Sequence, residues 1–268
     1  MILVFGKNGQ VATALRELYQ QTKVPAKFIG SDEANFLDTA SVVRTLEENH
    51  PTIVINAAAY TQVDKAESEQ ENALTINATT PGEIAKWCKK NDALLVHYST
   101  DYVFDGTGEK PWLETDTPNP VNYYGFSKWQ GEKAIQASGC KHYICRISWI
   151  YSPWGHNFKK TILRLAAERE ELKIVADQWG SPTRAEDVAK RTAEFVFKYE
   201  QGYAPPLGIH HWRFDDYTTW HQFALKIVSE ARSQGLPLKV QSTLPIRTEE
   251  FPTPARRPKN SRLGSVRQ

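Results

Sequence analysis

Tyr124 and Lys128 stand four residues apart. In a helix both side chains would leave one face. An ammonium beside a phenol favours the phenolate, drawing the tyrosine pKa down towards the range useful for general acid–base work. The spacing alone is weak evidence, because Tyr19 and Lys23 repeat it at the end of another helix, with no polar strand terminus nearby. Tyr124 differs through Ser99-Thr100-Asp101, which follows the apolar run Leu94–Tyr98. Those hydroxyls fall at the carboxyl end of a strand, where ligands bind in open α/β sheets. Thr100 is therefore expected to hydrogen-bond a carbonyl oxygen beside Tyr124, with turn capping as the plainer alternative. Tyr123 has Ser127 rather than a cation four residues on, and reads as packing.

A second constellation opens the chain. Gly6-Lys7-Asn8-Gly9-Gln10-Val11-Ala12 follows a strand and begins a helix, the context a phosphate-binding loop requires. Gly6 permits the tight turn, and Gly9 lets the backbone approach a pyrophosphate at the helix N-terminus. The reader of the adenosine ribose should follow the second strand, where Ser31, Asp32 and Asn35 are candidates. Asp32 favours NAD and Lys7 favours the extra phosphate of NADP, so both NADH and NADPH remain open.

The elements that must position these residues follow from hydrophobic periodicity. Strands are expected at Ile2–Phe5, Ala26–Gly30, Ile53–Ile55, Leu94–Tyr98 and Tyr143–Trp149. Helices are expected near Val11–Gln20, Ser41–Glu48, Thr80–Lys90 and Tyr124–Ala137. This alternation requires crossovers and a parallel sheet covered on both faces, hence a Rossmann-like, doubly wound α/β fold. A loop rich in Pro, Asp, Glu and Gly spans Asp105–Pro120, and the pattern becomes irregular after about residue 150. Two regions are expected: 1–150 for the dinucleotide, and a smaller 151–268 mainly for substrate, with elements able to return to the first.

With 33 basic against 31 acidic residues, the net charge of +2 does not suggest nucleic-acid binding. No run approaches the ~20 apolar residues of a membrane span, and the N-terminus lacks the features of a signal peptide. Cys88, Cys140 and Cys145 show no zinc spacing and read as reduced thiols in a cytoplasmic protein. His210-His211 and Asp215-Asp216 are adjacent pairs rather than a ligand spacing, better explained by a strand end running into a solvated turn. No essential metal is expected. Five of the eight tryptophans (Trp149, Trp154, Trp179, Trp212, Trp220) lie in the second half, most of them expected in packing.

Four segments together carry a resemblance: Gly6-x-x-Gly9, Asn56-Ala57-Ala58-Ala59-Tyr60-Thr61-x-Val63-Asp64, His97-Tyr98-Ser99-Thr100-Asp101-Tyr102-Val103-Phe104 and Tyr124-Gly125-Phe126-Ser127-Lys128. Arg146-x-x-Trp149-x-Tyr151, Asp177-Gln178-x-Gly180-x-Pro182-Thr183 and Pro254-Ala255-Arg256-Arg257-Pro258 extend it along nearly the whole chain. The sequence resembles the extended short-chain dehydrogenase/reductases, and among them the branch that reduces dTDP-4-keto sugars. The resemblance implies NAD(P)H-dependent reduction of dTDP-4-dehydro-6-deoxy-L-mannose to dTDP-L-rhamnose, in the cytoplasm, by a monomer or homodimer. Tyr124 would protonate the forming alkoxide, Lys128 would anchor the ribose and tune Tyr124, and Thr100 would orient the carbonyl. Gly6, Gly9, Gln10, Val11, Asn35, Phe36, Ala57, Ala58, Ala59, Tyr60, Thr61 and Tyr98 would line the cofactor with Tyr124 and Lys128. Thr61, Val63, Thr100, Asp101, Tyr102 and Trp149 would face the sugar nucleotide, and Arg256 or Arg257 its diphosphate, since guanidinium suits bidentate phosphate contacts.

The sequence departs from the family pattern at three places. Asn35 stands where an aspartate is common, Ala14 where some members carry a metal-linked glutamate, and Gln268 where relatives continue into a helix. Two rival functions meet obstacles in the sequence. A 4,6-dehydratase would need a second carboxylate after Asp101, where Tyr102 stands. A non-catalytic NADP-binding subunit, like the regulatory β subunit of methionine adenosyltransferase, is opposed by the intact Thr100, Tyr124 and Lys128.

Overall fold

The short apolar runs of the first half become strands buried on both faces, as a parallel sheet demands. A computed structural model describes residues 1–203 and 205–266. Its main sheet contains β1 (Ile2–Phe5), β2 (Ala26–Ile29), β3 (Ile53–Asn56), β4 (Leu94–Thr100), β5 (Lys141–Ile147) and β10 (Gly208–His211). Every neighbouring pair is parallel, in the order β2-β1-β3-β4-β5-β10. The expected doubly wound α/β fold is thus present. Chain order reverses between β1 and β3, which opens a crevice beyond their carboxyl ends.

Alternation along β1 divides the two cores. Ile2 and Val4 pack with Leu15 of α1 (Gln10–Thr22) and Val188 of α8 (Ala185–Glu200). Leu3 and Phe5 pack with Leu46 of α2 (Thr39–Asn49), Ile84 of α5 (Thr80–Lys90) and Ile135 of α6 (Tyr123–Ser138). Between β3 and α5 the chain forms α3 (Val63–Ala66), α4 (Gln70–Leu74) and a π turn over Thr75–Thr79, none of them expected from the sequence. Asn77 within that turn donates to Tyr60 O and Ser127 Oγ and accepts from Tyr60 N, tying the loop after β3 to α6.

After β5 the chain leaves the main sheet. It forms β6 (Ile150–Tyr151) with β9 (Thr183–Arg184), and β8 (Trp179–Gly180) with β11 (Thr218–Thr219). A separate apolar cluster joins α7 (Phe158–Glu168), β7 (Glu171–Val175), α9 (Trp220–Ser233) and β12 (Ser242–Ile246). Helix α8 and strand β10 interrupt this second layer, for α8 lies on α1 and β10 extends the main sheet beside β5.

The strand end at His210 and His211 runs into a solvated turn as expected: both histidines are buried on β10, where backbone carbonyls meet their rings, and the chain beyond them bends at Asp215 and exposes Asp216. One expectation needs correction. Trp149 falls beyond the end of β5, in the left-handed region at φ 48°. The three cysteines are free and buried. Among the described residues no helix is long and apolar enough to cross a membrane.

Candidate active site

The crevice between β1 and β3 is shaped by backbone. Gly6 has φ 87°, and a Cβ there would lie 2.7 Å from the Ala57 carbonyl carbon and Ala58 N. Only glycine lets the first loop run against the loop after β3. Helix α1 begins with Gly9 as N-cap, with no side-chain cap hydrogen bond and no acidic residue in its first turn. Its positive end is therefore open to an anion. A cavity of about 270 Å³ lies there, lined by Gly6, Gly9, Asn35, Phe36, Ala57 and Ala59 among others. These features fit the adenosine diphosphate portion of a nicotinamide dinucleotide. Lys7 reaches Glu33 at 3.3 Å across the mouth, and Asn35 Oδ1 accepts from Leu37 N. Val11 packs partly buried against the core below. Gln10 Oε1 accepts from Ser152 Oγ and Asn157 Nδ2, joining the loop to the second layer.

The acid–base cluster is built where β4 meets α6. β4 runs two residues further than expected, so Ser99 and Thr100 are its last residues. Thr100 Oγ1 donates to Asp101 Oδ1 at 3.0 Å and accepts from Tyr102 N at 3.2 Å. The capping alternative is thus realised without moving Thr100 from the site. Asn122 caps α6 through Gly125 N and reaches Arg256 O with its amide. A Cβ on Gly125 would fall 2.0 Å from Tyr102 O, so this glycine lets α6 press against the 3-10 turn Asp101–Val103. That contact sets the Tyr124 ring edge-on to Tyr102, 5.8 Å between centroids.

Lys128 is buried, with Nζ donating to Tyr98 O at 2.6 Å and lying 3.4 Å from His97 Nε2. Burial pushes its pKa down to about 8, against the pull of Glu132. Tyr124 moves opposite to the expectation. Burial pushes the phenol up to about 12, with hydrogen bonding to Thr100 opposing and Asp101 reinforcing the rise. Desolvation of the phenol outweighs any help from Lys128, whose ammonium is turned towards the Tyr98 carbonyl. Asp101 is likewise raised, to about 7, chiefly by burial and against the Ser261 and Thr100 hydroxyls. Its Oδ2 is buried without a hydrogen-bond partner among the described residues.

Behind this cluster runs a buried chain that the sequence did not reveal. Ser99 Oγ donates to Glu132, which takes Arg146 Nε at 2.9 Å and Nη2 at 2.6 Å. Arg146 Nη1 lies 3.2 Å from His211 Nε2, whose Nδ1 meets the carbonyls of Trp112 and Gly264. Glu132 stands four residues after Lys128, one further turn along the same face, and that spacing was the available signal.

The residues expected around a sugar nucleotide are gathered unevenly. Arg257 faces inward, holding both carboxylate oxygens of Asp64 at 3.0 and 2.8 Å and keeping that carboxyl below its usual range. Arg256 is exposed and offers only its carbonyl, to Asn122. Next to Arg257 lies a cavity of about 380 Å³ lined by Phe158, Leu172, Gln178, Trp220 and Phe251. Trp149 stacks flat on Trp220, centroids 3.5 Å apart, and packs against Gly180. Tyr60 is pinned by Asn77 and Glu69, Thr61 is exposed, and Val63 opens α3 half-buried. Tyr98 directs its hydroxyl away, to Thr192, and contributes its carbonyl instead.

A sheet of this order, with a glycine-cradled crevice and a Tyr–Lys helix beside the next strand end, defines the class of extended short-chain dehydrogenase/reductases. The same fold is found in the NAD complex of Thermus thermophilus UDP-glucose 4-epimerase, with TM-score 0.77 and 17% identity over 99% of this chain and 90% of that one. The chain belongs to the RmlD substrate binding domain family, whose model matches residues 1–267. It is 45% identical over 267 residues to dTDP-4-dehydrorhamnose reductase of Escherichia coli K12, covering 98% of this chain and 89% of the relative. The crystal structure of dTDP-4-dehydrorhamnose reductase from Bacillus anthracis in complex with NADP superposes with TM-score 0.89 at 36% identity, over 98% of this chain and 89% of that one.

Proposed function

We infer that this protein catalyses NAD(P)H-dependent reduction of dTDP-4-dehydro-6-deoxy-L-mannose to dTDP-L-rhamnose. The observation that carries this reading is the meeting of Thr100, Tyr124 and Lys128 beside the glycine crevice, in a chain 45% identical to a dTDP-4-dehydrorhamnose reductase. The nicotinamide supplies the hydride received at the sugar C4. The Tyr124 phenol, kept protonated near neutral pH by a pKa of about 12, gives its proton to the C4 oxygen. Thr100 orients that oxygen by a hydrogen bond. Lys128, held by the Tyr98 carbonyl, is assigned to the nicotinamide ribose as a hydrogen-bond donor. The net change adds a hydride and a proton across the carbonyl and yields the alcohol.

Residues 1–150, together with α8 and β10, are assigned to the dinucleotide, and the rest of 151–268 mainly to the sugar nucleotide. Gly6, Gly9 to Val11, Asn35, Phe36 and Ala57 to Thr61 are assigned to the cofactor, with Tyr98 through its backbone. Thr61, Val63, Asp101, Tyr102 and Trp149 are assigned to the sugar side. The unpartnered Asp101 Oδ2 is suited to accept from a sugar hydroxyl. For the diphosphate, Arg257 replaces Arg256 as the better placed cation, beside the cavity lined by Phe158 and Trp220. The enzyme is taken to act in the cytoplasm as a monomer or homodimer, without nucleic acid or membrane.

Mixing the purified protein with NADPH and dTDP-4-dehydro-6-deoxy-L-mannose tests the reading. Loss of NADPH absorbance with appearance of dTDP-L-rhamnose is expected. Tight dinucleotide binding without any oxidation would overturn it.

A further inference from the structure

Asn56 ends β3 directly opposite His97 on β4. Asn56 Oδ1 accepts from Ala58 N at 3.1 Å, and a backbone N–H can only donate. The other end of the amide, Nδ2, therefore faces His97 Nδ1 at 3.0 Å. An NH₂ group also only donates, so His97 Nδ1 must carry the lone pair. The ring is kept neutral, because burial, reinforced by Lys128 and His142, holds its pKa well below 6.5. Its single proton is then on Nε2, and that N–H is aimed at Lys128 Nζ, 3.4 Å away. An ammonium offers only donors to this N–H, whereas a neutral amine offers a lone pair.

We propose that Asn56 and His97 are positioning residues that set the protonation of Lys128: Asn56 fixes the Nε2–H tautomer, and that N–H disfavours the ammonium and favours the amine. The other charged groups around Lys128 do not cancel the effect. Glu132 on α6 favours the ammonium, yet its carboxylate is already engaged by Arg146 of β5 and by Ser99. Tyr124 on the same helix and Asp101 in the 3-10 turn are both pushed towards their protonated forms by burial. His142 of β5 acts on His97 and keeps it neutral.

The consequence bears on turnover and rests on the reductase reading. Once the Tyr124 phenol has given its proton to the sugar oxygen, the phenolate must regain one. A lysine that releases a proton near neutral pH can return it and recover its own from water. Asn56 and His97 thus act through Lys128 without touching the reacting atoms.

Two NMR readouts on the whole protein test the proposal independently of the substrate. The ¹⁵N shifts of His97 report its tautomer, and the ¹³Cε shift of Lys128 reports its titration midpoint. In the wild type the Nε2–H ring is expected, with a Lys128 midpoint well below that of ordinary lysines. Asn56→Leu, which removes the fixing amide without adding charge, should turn the ring to Nδ1–H and raise the midpoint by about one unit, roughly tenfold in proton affinity. Should that variant not fold, His97→Phe reads the same midpoint and is expected to raise it. A wild-type Nδ1–H ring, or a Lys128 midpoint unmoved by these changes, would overturn the proposal. Failure to reduce the dTDP-sugar would strike the assigned reaction and leave both NMR readouts intact.

Discussion

The chain contains the Tyr-x-x-x-Lys spacing twice, at Tyr19 with Lys23 and at Tyr124 with Lys128, and the two copies live in opposite environments. Tyr19 is buried on α1 with its hydroxyl lacking a partner among the described residues, and burial pushes its pKa up. Lys23 sits beyond that helix end in the left-handed region at φ 56°, exposed. Tyr124 lies in the first turn of α6 rather than the last turn of a helix, and Lys128 is buried against the carboxyl end of β4. Spacing puts two groups on one helix face. Only the strand end beneath that face, with Thr100 and the Tyr98 carbonyl, gives them a shared task.

The largest expected contrast is in turnover. Tyr124→Phe should lower kcat by about 10²–10⁴-fold, the range of general acid catalysis. Tyr19→Phe should leave kcat unchanged and, by removing an unsatisfied buried hydroxyl, stabilise the fold by about 1–3 kcal/mol. Steady-state kinetics and urea unfolding of both variants check this.

A second contrast is in pH dependence, because the Tyr124 end holds a buried carboxyl, Asp101, whose pKa burial raises into the neutral range, whereas burial raises Tyr19 away from it. Burial pushes the Asp101 carboxyl up to about 7 in the folded state, against an ordinary aspartate value of about 3.9. The folded state therefore binds more protons between these values, and stability falls as pH rises through that window. Asp101→Asn should flatten this fall, so that the variant gains on the wild type between pH 5 and pH 7.5 in urea midpoints. Parallel profiles would remove Asp101 from the account.

The smallest effect belongs to the other copy. Lys23→Gly should relieve the left-handed backbone and stabilise the protein by about 1 kcal/mol with no change in kcat. A loss of turnover there would mean that the first copy also has a role.

What could be read from the sequence was local. The strands β1 to β4, the glycine loop and α6 follow from apolar runs and from glycines that backbone contact requires, and all fall within a residue or two of expectation. Residues 63–79 give no helical signal because that stretch is polar and aperiodic, and its order comes from Asn77 bridging Tyr60 and Ser127. The Glu132–Arg146–His211 chain exists only once β5 and β10 pair side by side, which no local pattern encodes. Arg256 and Arg257 are adjacent in sequence, and only the Asp64 carboxylate decides which one turns inward. The direction of the Tyr124 pKa is not legible in the sequence for a related reason. Spacing reveals a neighbouring cation, whereas burial depends on the whole fold.

The most direct test of the central claim, that the Tyr124 copy serves hydride transfer to a dTDP-4-keto sugar, is transfer of deuterium from NADPH labelled at nicotinamide C4. The label is expected at C4 of the dTDP-L-rhamnose formed by the wild-type protein and by Tyr19→Phe, and to be nearly absent with Tyr124→Phe. A sugar that stays unlabelled with the wild type, or labelling that persists at full rate with Tyr124→Phe, would contradict it.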